Sequence, residues 1–288
     1  MTNPRSERVR SVRALAGRSA RQRHGRYLVE GPQGVRELVR EAPGDVVDLY
    51  LSQAAAQRHA DVLAAARSAG VPARTATPEV LRAMSPDAQE VLAVARTRTS
   101  DLADLLAAAP RLVTVLHHVR DPGNAGTVIR AADAAGAGGV VLTEASVEVH
   151  NPKVVRSTAG SLFHLPVATG APLRVVVDAL HAAGLQVLAA DGAGEWDLDD
   201  LQDLAAATTS SGSGTGHAED ARRADETPDL TAPTAWLFGN EAWGLRPQDR
   251  DLADAVVRVP LHGRAESLNL ATAATVCLYA SARAQRRA

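Results

Sequence analysis

"RLVTVLHHVRDPGNAGTVIRAADAAGAGGVVLTE", residues 111–144, decides the fold. "RLVTVLHHV" is an apolar run of strand length and "DPGNAG" is rich in turn formers. "TVIRAADAAGA" spaces its apolar positions as a helix does, and "GVVLTE" is a second apolar run. The two runs are apolar throughout rather than alternating, which predicts strands buried on both faces. The expectation is an α/β fold, a parallel sheet with helices on both faces. The alternation continues with helix "NPKVVRSTAG", strand "LPVAT", helix "PLRVVVDALHAAG" and strand "LQVLAAD". It resumes with "TAWLF", "AVVRVP" and a long C-terminal helix expected from Ser267. Between them, residues 206–233 are rich in Ser, Thr, Gly and Asp, a composition that cannot bury a core, and are expected to be a disordered insertion.

Upstream of this region, residues 1–108 read as a separate small α/β domain, with a break at the Ala-rich stretch ending at Pro110, so that 109–288 form the second domain. Short strands are expected at Tyr27–Val29, Val46–Leu51 and Val91–Ala95, and helices at Gln33–Arg40 and Ala54–Ala69. The chain starts with a basic segment: Arg5, Arg8, Arg10, Arg13, Arg18, Arg21, Arg23 and Arg26 are accompanied by one acid, Glu7. Clustered cations of this kind neutralise phosphates, which makes these arginines candidate RNA contacts. A solvated, frayed terminus is the competing reading, since the protein uses arginine nearly everywhere and its one lysine is Lys153.

Bulk properties narrow the class further. The single cysteine, Cys277, excludes an internal disulfide framework, fits a reducing compartment and falls in an apolar helical pattern, as an inert core thiol would. Without an apolar segment after the N-terminal arginines and without a run of membrane-spanning length, a cytoplasmic location is expected, with no membrane partner. There is no Gly-Lys-Ser/Thr phosphate loop and no Gly-x-Ser-x-Gly elbow, and "DAAGAGG" precedes a strand where a dinucleotide fingerprint would follow one. His117 and His118 are adjacent in a predicted strand and so point to opposite faces. With no His/Cys cluster at metal spacing, no metal is expected. Asp199 and Asp200 are expected to face solvent.

Three loops remain, each following an apolar strand, where ligands bind in open α/β sheets. In "DPGNAGTVIR", 121–130, Pro122-Gly123 suits a turn, Asn124 suits a helix cap, and Arg130 projects from the helix on the side away from Val128, Ile129 and Ala132. Taken alone, this loop is better explained as a turn, a cap and a surface arginine paired with Asp133. In "LFGNEAWGL", 237–245, Gly239 and Gly244 bracket Glu241 and Trp243, an arrangement that lets a backbone or ligand approach closely; a helix N-terminus favoured by Glu241 is the alternative. In "VPLHGRAESLNLATAATV", 259–276, Pro260 stops a strand and Ser267 is the expected cap of the last helix. Asn269 is then expected in its first turn.

Taken in order, "DPGNAGTVIRAADAAGAGGVVL", "LFGNEAWGL" and "VRVPLHGRAESLNLATAATV" resemble the SpoU (TrmH-like) RNA ribose 2′-O-methyltransferases of the SPOUT superfamily. The resemblance spans essentially all of 111–288 outside the insertion, and "GRYLVEGPQGVREL" resembles the ribosomal-protein-like substrate-binding domain that precedes this catalytic domain. It implies a C-terminal trefoil knot, which periodicity alone would not suggest. It further implies a homodimer, S-adenosylmethionine as methyl donor, and transfer to a ribose 2′-oxygen of structured RNA. Ribosomal RNA, of the large subunit by analogy, is the expected substrate.

Carried over residue by residue, the resemblance implies catalytic roles for Asn124, Arg130 and Glu241. It implies cofactor contacts from Leu237, Phe238, Gly239, Asn240, Gly244, Val259, Leu261, Ser267, Leu268 and Asn269. Two rivals are a non-catalytic RNA-binding or ribosome-assembly protein on the same fold, which has no reason to retain all three sets, and a base-methylating knotted enzyme, which should lack the Arg130 arrangement.

Overall fold

The computed structural model describes residues 1–210 and 227–287, which pack as two compact units. The first comprises Met1–Thr99 together with Ala125–Arg130 and Glu148–His164; the second comprises Ser100–Asn124, Ala131–Val147 and Leu165–Ala288. A single boundary near residue 108 therefore does not describe the packing, because short later segments join the N-terminal body. The cause is visible in the side chains. Val155 enters the apolar core formed by Val29, Val35, Leu38, Leu49 and Val91, and the Tyr27 ring meets the His150 ring at 4.5 Å. Arg156 pairs with the buried Glu30, and the Arg21 guanidinium is 2.7 Å from the Glu148 carboxylate.

The first unit is built on strands β1 (Arg26–Glu30), β2 (Val46–Leu51), β3 (Ala73–Thr75) and β4 (Val91–Arg96), in the order β1-β4-β2-β3. Strands β1 and β2 are antiparallel to β4, while β3 runs parallel to β2. The three expected strands are present. Strand β3 has three exposed residues and no apolar signature, so periodicity could not reveal it. The helix expected over Ala54–Ala69 is two helices, Gln53–Arg58 and Ala60–Ser68, broken at His59 (φ −118°, ψ 49°).

The basic N-terminus is folded. Helices Glu7–Ala14 and Arg18–His24 place Val9, Val12 and Leu15 in a second core with Leu28, Leu81 and Leu92. A frayed terminus is thus excluded, and so is Arg21 as an RNA contact. Arg21 is 3% exposed, donates to the Leu15 and Ala16 carbonyls and is paired with Glu148. A buried arginine fully engaged in this way has nothing left to offer a phosphate. Arg8 pairs with Asp48 at 3.2 Å and Arg18 approaches Glu148 at 3.8 Å, while Arg5, Arg10, Arg13, Arg23 and Arg26 are exposed.

Among the described residues, the second unit holds seven strands: β5 (Leu112–Leu116), β6 (Gly139–Leu142), β7 (Val167–Thr169), β8 (Gln186–Ala190), β9 (Trp196–Asp197), β10 (Thr234–Phe238) and β11 (Ala255–Arg258). Their order is β7-β6-β5-β10-β8-β11-β9 and every pairing is parallel, as runs such as "LVTVL" and "TAWLF", buried at every position, require. Strand β10 comes late in the chain yet lies between β5 and β8, with Phe238 in register with both Leu116 and Ala190. Val257 of β11 is in register with Ala190 as well. Strands β5, β10 and β8 therefore end at one level and β11 one residue later, so the loops that leave them start side by side.

The C-terminal helix, Leu270–Gln285, packs on β10 and β5, buries Cys277 completely and anchors the sheet through the Trp236 indole N–H, which donates to Ser281 Oγ at 2.9 Å. The segment expected to be disordered, 206–233, is ordered at both described edges: the helix from Leu198 continues to Ser210, and Leu230 is buried. Its central part lies outside the described residues. Asp199 and Asp200 are exposed. Among the described residues, no helix is long and apolar enough to cross a membrane.

Candidate active site

The loops leaving β5, β10 and β8 and the segment after β11 meet in the second unit. The loop after β5 ends in a helix, Pro122–Ala135, that begins two residues earlier than a turn at Pro122-Gly123 would allow. Asp121 is its N-cap, accepting from the Asn124 backbone N–H at 2.7 Å. Proline suits the first helical position because the missing N–H is one of the unpaired groups there. Asn124 is consequently not the cap, and its side chain is released to other partners.

Those partners come from the other two loops. Asn124 Nδ2 donates to Glu241 Oε1 at 3.4 Å, and Asn269 Nδ2 donates to Asn124 Oδ1 at 3.0 Å. Glu241 also accepts the backbone N–H groups of Asp121 (3.0 Å) and Arg120 (3.3 Å). Residues more than a hundred positions apart thus form one chain of hydrogen bonds, Asn269–Asn124–Glu241–backbone of 120–121. The Glu241 carboxylate is occupied with holding the first loop.

The β10 loop is a tight reversal. Asn240 and Gly244 exchange two backbone hydrogen bonds (3.0 and 2.9 Å), Asn240 Oδ1 accepts from the Ala242 N–H at 2.8 Å, and Asn240 Nδ2 donates to the His118 carbonyl at 2.7 Å. Gly244 sits at φ +65°, where a side chain is strained. A methyl on Gly239 would lie 2.4 Å from the Gly244 carbonyl. The glycines are therefore required by the backbone itself. At the tip, Trp243 is 44% exposed with the Arg120 guanidinium 5.4 Å from its ring centroid.

Beside this turn lies a cavity of about 360 Å³. Of the residues assigned to the cofactor, Phe238, Gly239, Asn240, Gly244, Val259, Leu261, Ser267 and Leu268 line it, as does Glu241. Leu237 does not, because it is buried in the middle of the sheet. Asn269 does not line it either. It is the N-cap of the last helix, accepting from the Ala271 and Thr272 N–H groups, so the helix starts at Leu270, not at Ser267. Arg130 lies six residues after Asn124 on the same helix, with its side chain exposed.

Asp191 escaped the sequence reading. It follows β8 directly, lines the cavity, accepts from the Ala193 N–H at 2.9 Å and lies 3.3 Å from the Arg250 guanidinium. An acid immediately after a buried strand of a parallel sheet was the available signal. Ala190, Gly192 and Glu266 join it in the lining.

His117 and His118 do not face opposite ways. His118 leaves the strand at φ +55°, and the two rings stack at 3.9 Å. His117 Nδ1 is 2.9 Å from Thr143 Oγ1, while Nε2 lies 3.4 Å from the Asp249 carboxylate without the alignment of a hydrogen bond. Burial, followed by the neighbouring His118, holds the His117 pKa below the ordinary value, so it is the neutral ring that is favoured.

Similarity to known proteins agrees with this geometry. Residues 111–279 match the SpoU rRNA Methylase family. The 23S rRNA (uridine(2479)-2′-O)-methyltransferase of Streptomyces viridochromogenes is 32% identical over 289 residues, covering 97% of this chain and 90% of that protein. The 23S rRNA (guanosine(2553)-2′-O)-methyltransferase of Bacillus subtilis is 29% identical over 278 residues, covering 96% of each. The solved structure of the SpoU methyltransferase AviRb from Streptomyces viridochromogenes, in complex with the cofactor AdoMet, superposes with a TM-score of 0.76 at 32% identity over 98% of this chain and 99% of that one. With its three motif loops hydrogen-bonded to one another beside a cavity at the carboxyl ends of a parallel sheet, this chain belongs to the SpoU rRNA methylase family.

Proposed function

We propose that this protein is an S-adenosylmethionine-dependent methyltransferase that modifies a ribose 2′-OH of 23S rRNA. The observation that carries the reading is the hydrogen-bonded chain Asn269–Asn124–Glu241, which joins the three motif loops at the cavity. A protein that only bound RNA would have no use for that chain, or for a cavity of about 360 Å³. This is within the roughly 300–1,000 Å³ usual for small-molecule sites.

The lining suits the cofactor. Val259, Leu261 and Leu268 offer apolar surface to a flat adenine, glycines at 192, 239 and 244 let a ligand meet backbone groups directly, and Asp191 and Glu266 supply negative charge for a cation. S-adenosylmethionine supplies an electrophilic methyl group on a sulfonium. The chain's own residues then have to orient the RNA hydroxyl and deal with its proton. Positioning dominates such a reaction, because no large new charge has to be stabilised.

Asn124 and Glu241 are positioning residues in this account. Glu241 fixes the backbone at 120–121 and thereby the start of the helix that carries Asn124 and Arg130. Arg130 grips the phosphate next to the target ribose and polarises the hydroxyl. A guanidinium is too weak a base to take the proton itself, so the phosphate shares it. The exposed arginines of the N-terminal unit (Arg5, Arg10, Arg13, Arg23 and Arg26) supply further phosphate contacts, and that unit acts as the RNA substrate domain. The family's trefoil knot is assigned to the last strands and the segment preceding the C-terminal helix. A homodimer follows the same reading, supported by Val276 and Tyr279, large apolar side chains of that helix that stand 39% and 49% exposed.

Mapping ribose methylation across total RNA from cells with and without the protein tests the proposal. One 23S rRNA position should lose its 2′-O-methyl group when the protein is absent; an unchanged map would refute the assignment.

A further inference from the structure

Trp243 has no part in the chemistry described above and no part in the core. Of the two tryptophans in the motif region, Trp236 is wholly buried, while Trp243 stands 44% exposed at the tip of the β10 reversal. Tryptophan rings left partly exposed are enriched where a partner packs against them. The backbone that carries the ring is held in place. The reciprocal Asn240–Gly244 backbone bonds and the Asn240–Ala242 contact close the turn beneath it, and Glu241 ties that turn to residues 120–121. Its sequence neighbours, Ala242 and Gly244, both line the proposed methyl-donor cavity.

The second observation is chemical. The Arg120 guanidinium lies over the ring at 5.4 Å from its centroid. A cation on an aromatic face fixes that ring and keeps a donor fork beside it that matches a phosphate. An aromatic face for a base and a guanidinium for a phosphate together make a receptor for a single unstacked nucleotide.

We propose that Trp243 and Arg120 form a platform on which a nucleobase of the substrate RNA stacks, at the mouth of the cavity. The inference rests on the methyltransferase reading and adds to it where the RNA is held. RNA is favoured over a second copy of this chain as the occupant because the platform carries an arginine beside its aromatic ring, which suits a polyanion. Trp243 is a positioning residue, and its effect falls on RNA affinity rather than on the donor. A base–aromatic stack of the usual strength corresponds to about 5- to 150-fold in affinity.

The test compares the full-length wild type with Trp243→Ala and Trp243→Phe. Methyl transfer to 23S rRNA should show KM for RNA raised at least fivefold in Trp243→Ala and largely restored in Trp243→Phe. Calorimetry with S-adenosylmethionine and the sedimentation coefficient should match wild type in both. An unchanged KM, or a changed sedimentation coefficient that marks Trp243 as a contact between copies, overturns the platform. Quenching of tryptophan fluorescence by single-stranded oligoadenosine reads the stack without turnover. It should be present in the wild type and much reduced in Trp243→Phe, and equal quenching in both would also overturn the proposal. Absence of methyl transfer by the wild type would instead strike the methyltransferase reading, leaving the fluorescence result to decide the platform.

Discussion

Replacing Gly239 by Ala asks the most of the smallest change. A Cβ there would meet the Gly244 carbonyl carbon and oxygen at 2.4 Å and the Leu245 nitrogen at 2.7 Å. Ordinary contact begins near 3.4 Å, so a backbone segment must move by roughly 1 Å. Both sides are main chain, and no flexible side chain can yield. The segment most able to move is the 240–244 reversal, whose two reciprocal hydrogen bonds would be lost or stretched. At about 0.5–1.5 kcal/mol net for each bond, the change costs about 1–3 kcal/mol. That predicts a dissociation constant for S-adenosylmethionine raised by roughly 5- to 150-fold. The melting temperature should fall by a few degrees, at about 2–4 °C per kcal/mol for a chain of this size class. Calorimetry and thermal unfolding of the same samples supply both numbers. Gly263→Ala is the control, since a Cβ at Gly263 meets nothing within 4 Å. Cofactor affinity in Gly239→Ala equal to that of the control would refute the claim that this turn shapes the pocket.

Three other outcomes are expected. Arg130→Ala should lower kcat by at least a hundredfold while leaving S-adenosylmethionine affinity within a factor of two; a collapse of cofactor binding would remove Arg130 from its assigned role. Burial holds the pKa values of His117 and His150 below the ordinary histidine value of 6.5. As the pH drops below about 6.5 the unfolded chain therefore takes up protons that the folded chain refuses, and stability is lost toward the folded pKa values. The slope approaches about 1.4 kcal/mol per pH unit per histidine. Urea unfolding at pH 7.5 and 5.5 should show the loss, and His150→Gln should reduce it; equal stability at both pH values would contradict the burial argument. Cys277, fully buried with its thiol pKa pushed up by that burial, should resist a thiol reagent in the native protein and react on unfolding. Rapid labelling of the folded protein would show that the C-terminal helix is not packed as described.

What the sequence made legible depended on how local the signal was. Runs such as "LVTVL" and "TAWLF" are apolar at every position because helices cover both faces of the sheet, so strand type and parallel pairing could be read directly. The insertion of β10 between β5 and β8 could not, since strand order is a matter of distant segments meeting and leaves no periodic trace. Caps were misplaced for a related reason. Asn124 and Ser267 have the right chemistry, but Asp121 and Asn269 do the capping, and the choice depends on where each backbone enters its helix. Once Asp121 holds the cap, Asn124 becomes available to join Glu241 and Asn269.

Charge was the least reliable guide to location. Eight arginines between residues 5 and 26 read alike in the sequence, yet Arg21 is sunk against Glu148 from a segment 127 residues away. Nothing local could distinguish it from Arg23. Asp191 illustrates the converse: its position right after a buried strand was visible, but only the shared level at which β5, β8 and β10 end makes that position significant.

Methyl transfer from S-adenosylmethionine to a ribose oxygen of 23S rRNA can be watched in a purified system. Incubating the purified protein with methyl-labelled S-adenosylmethionine and unmodified 23S rRNA, then resolving the digested nucleosides by mass spectrometry, tests it directly. Label is expected in one 2′-O-methylated nucleoside, and none with Arg130→Ala. Label on a base, or no label at all from the wild type, would contradict it.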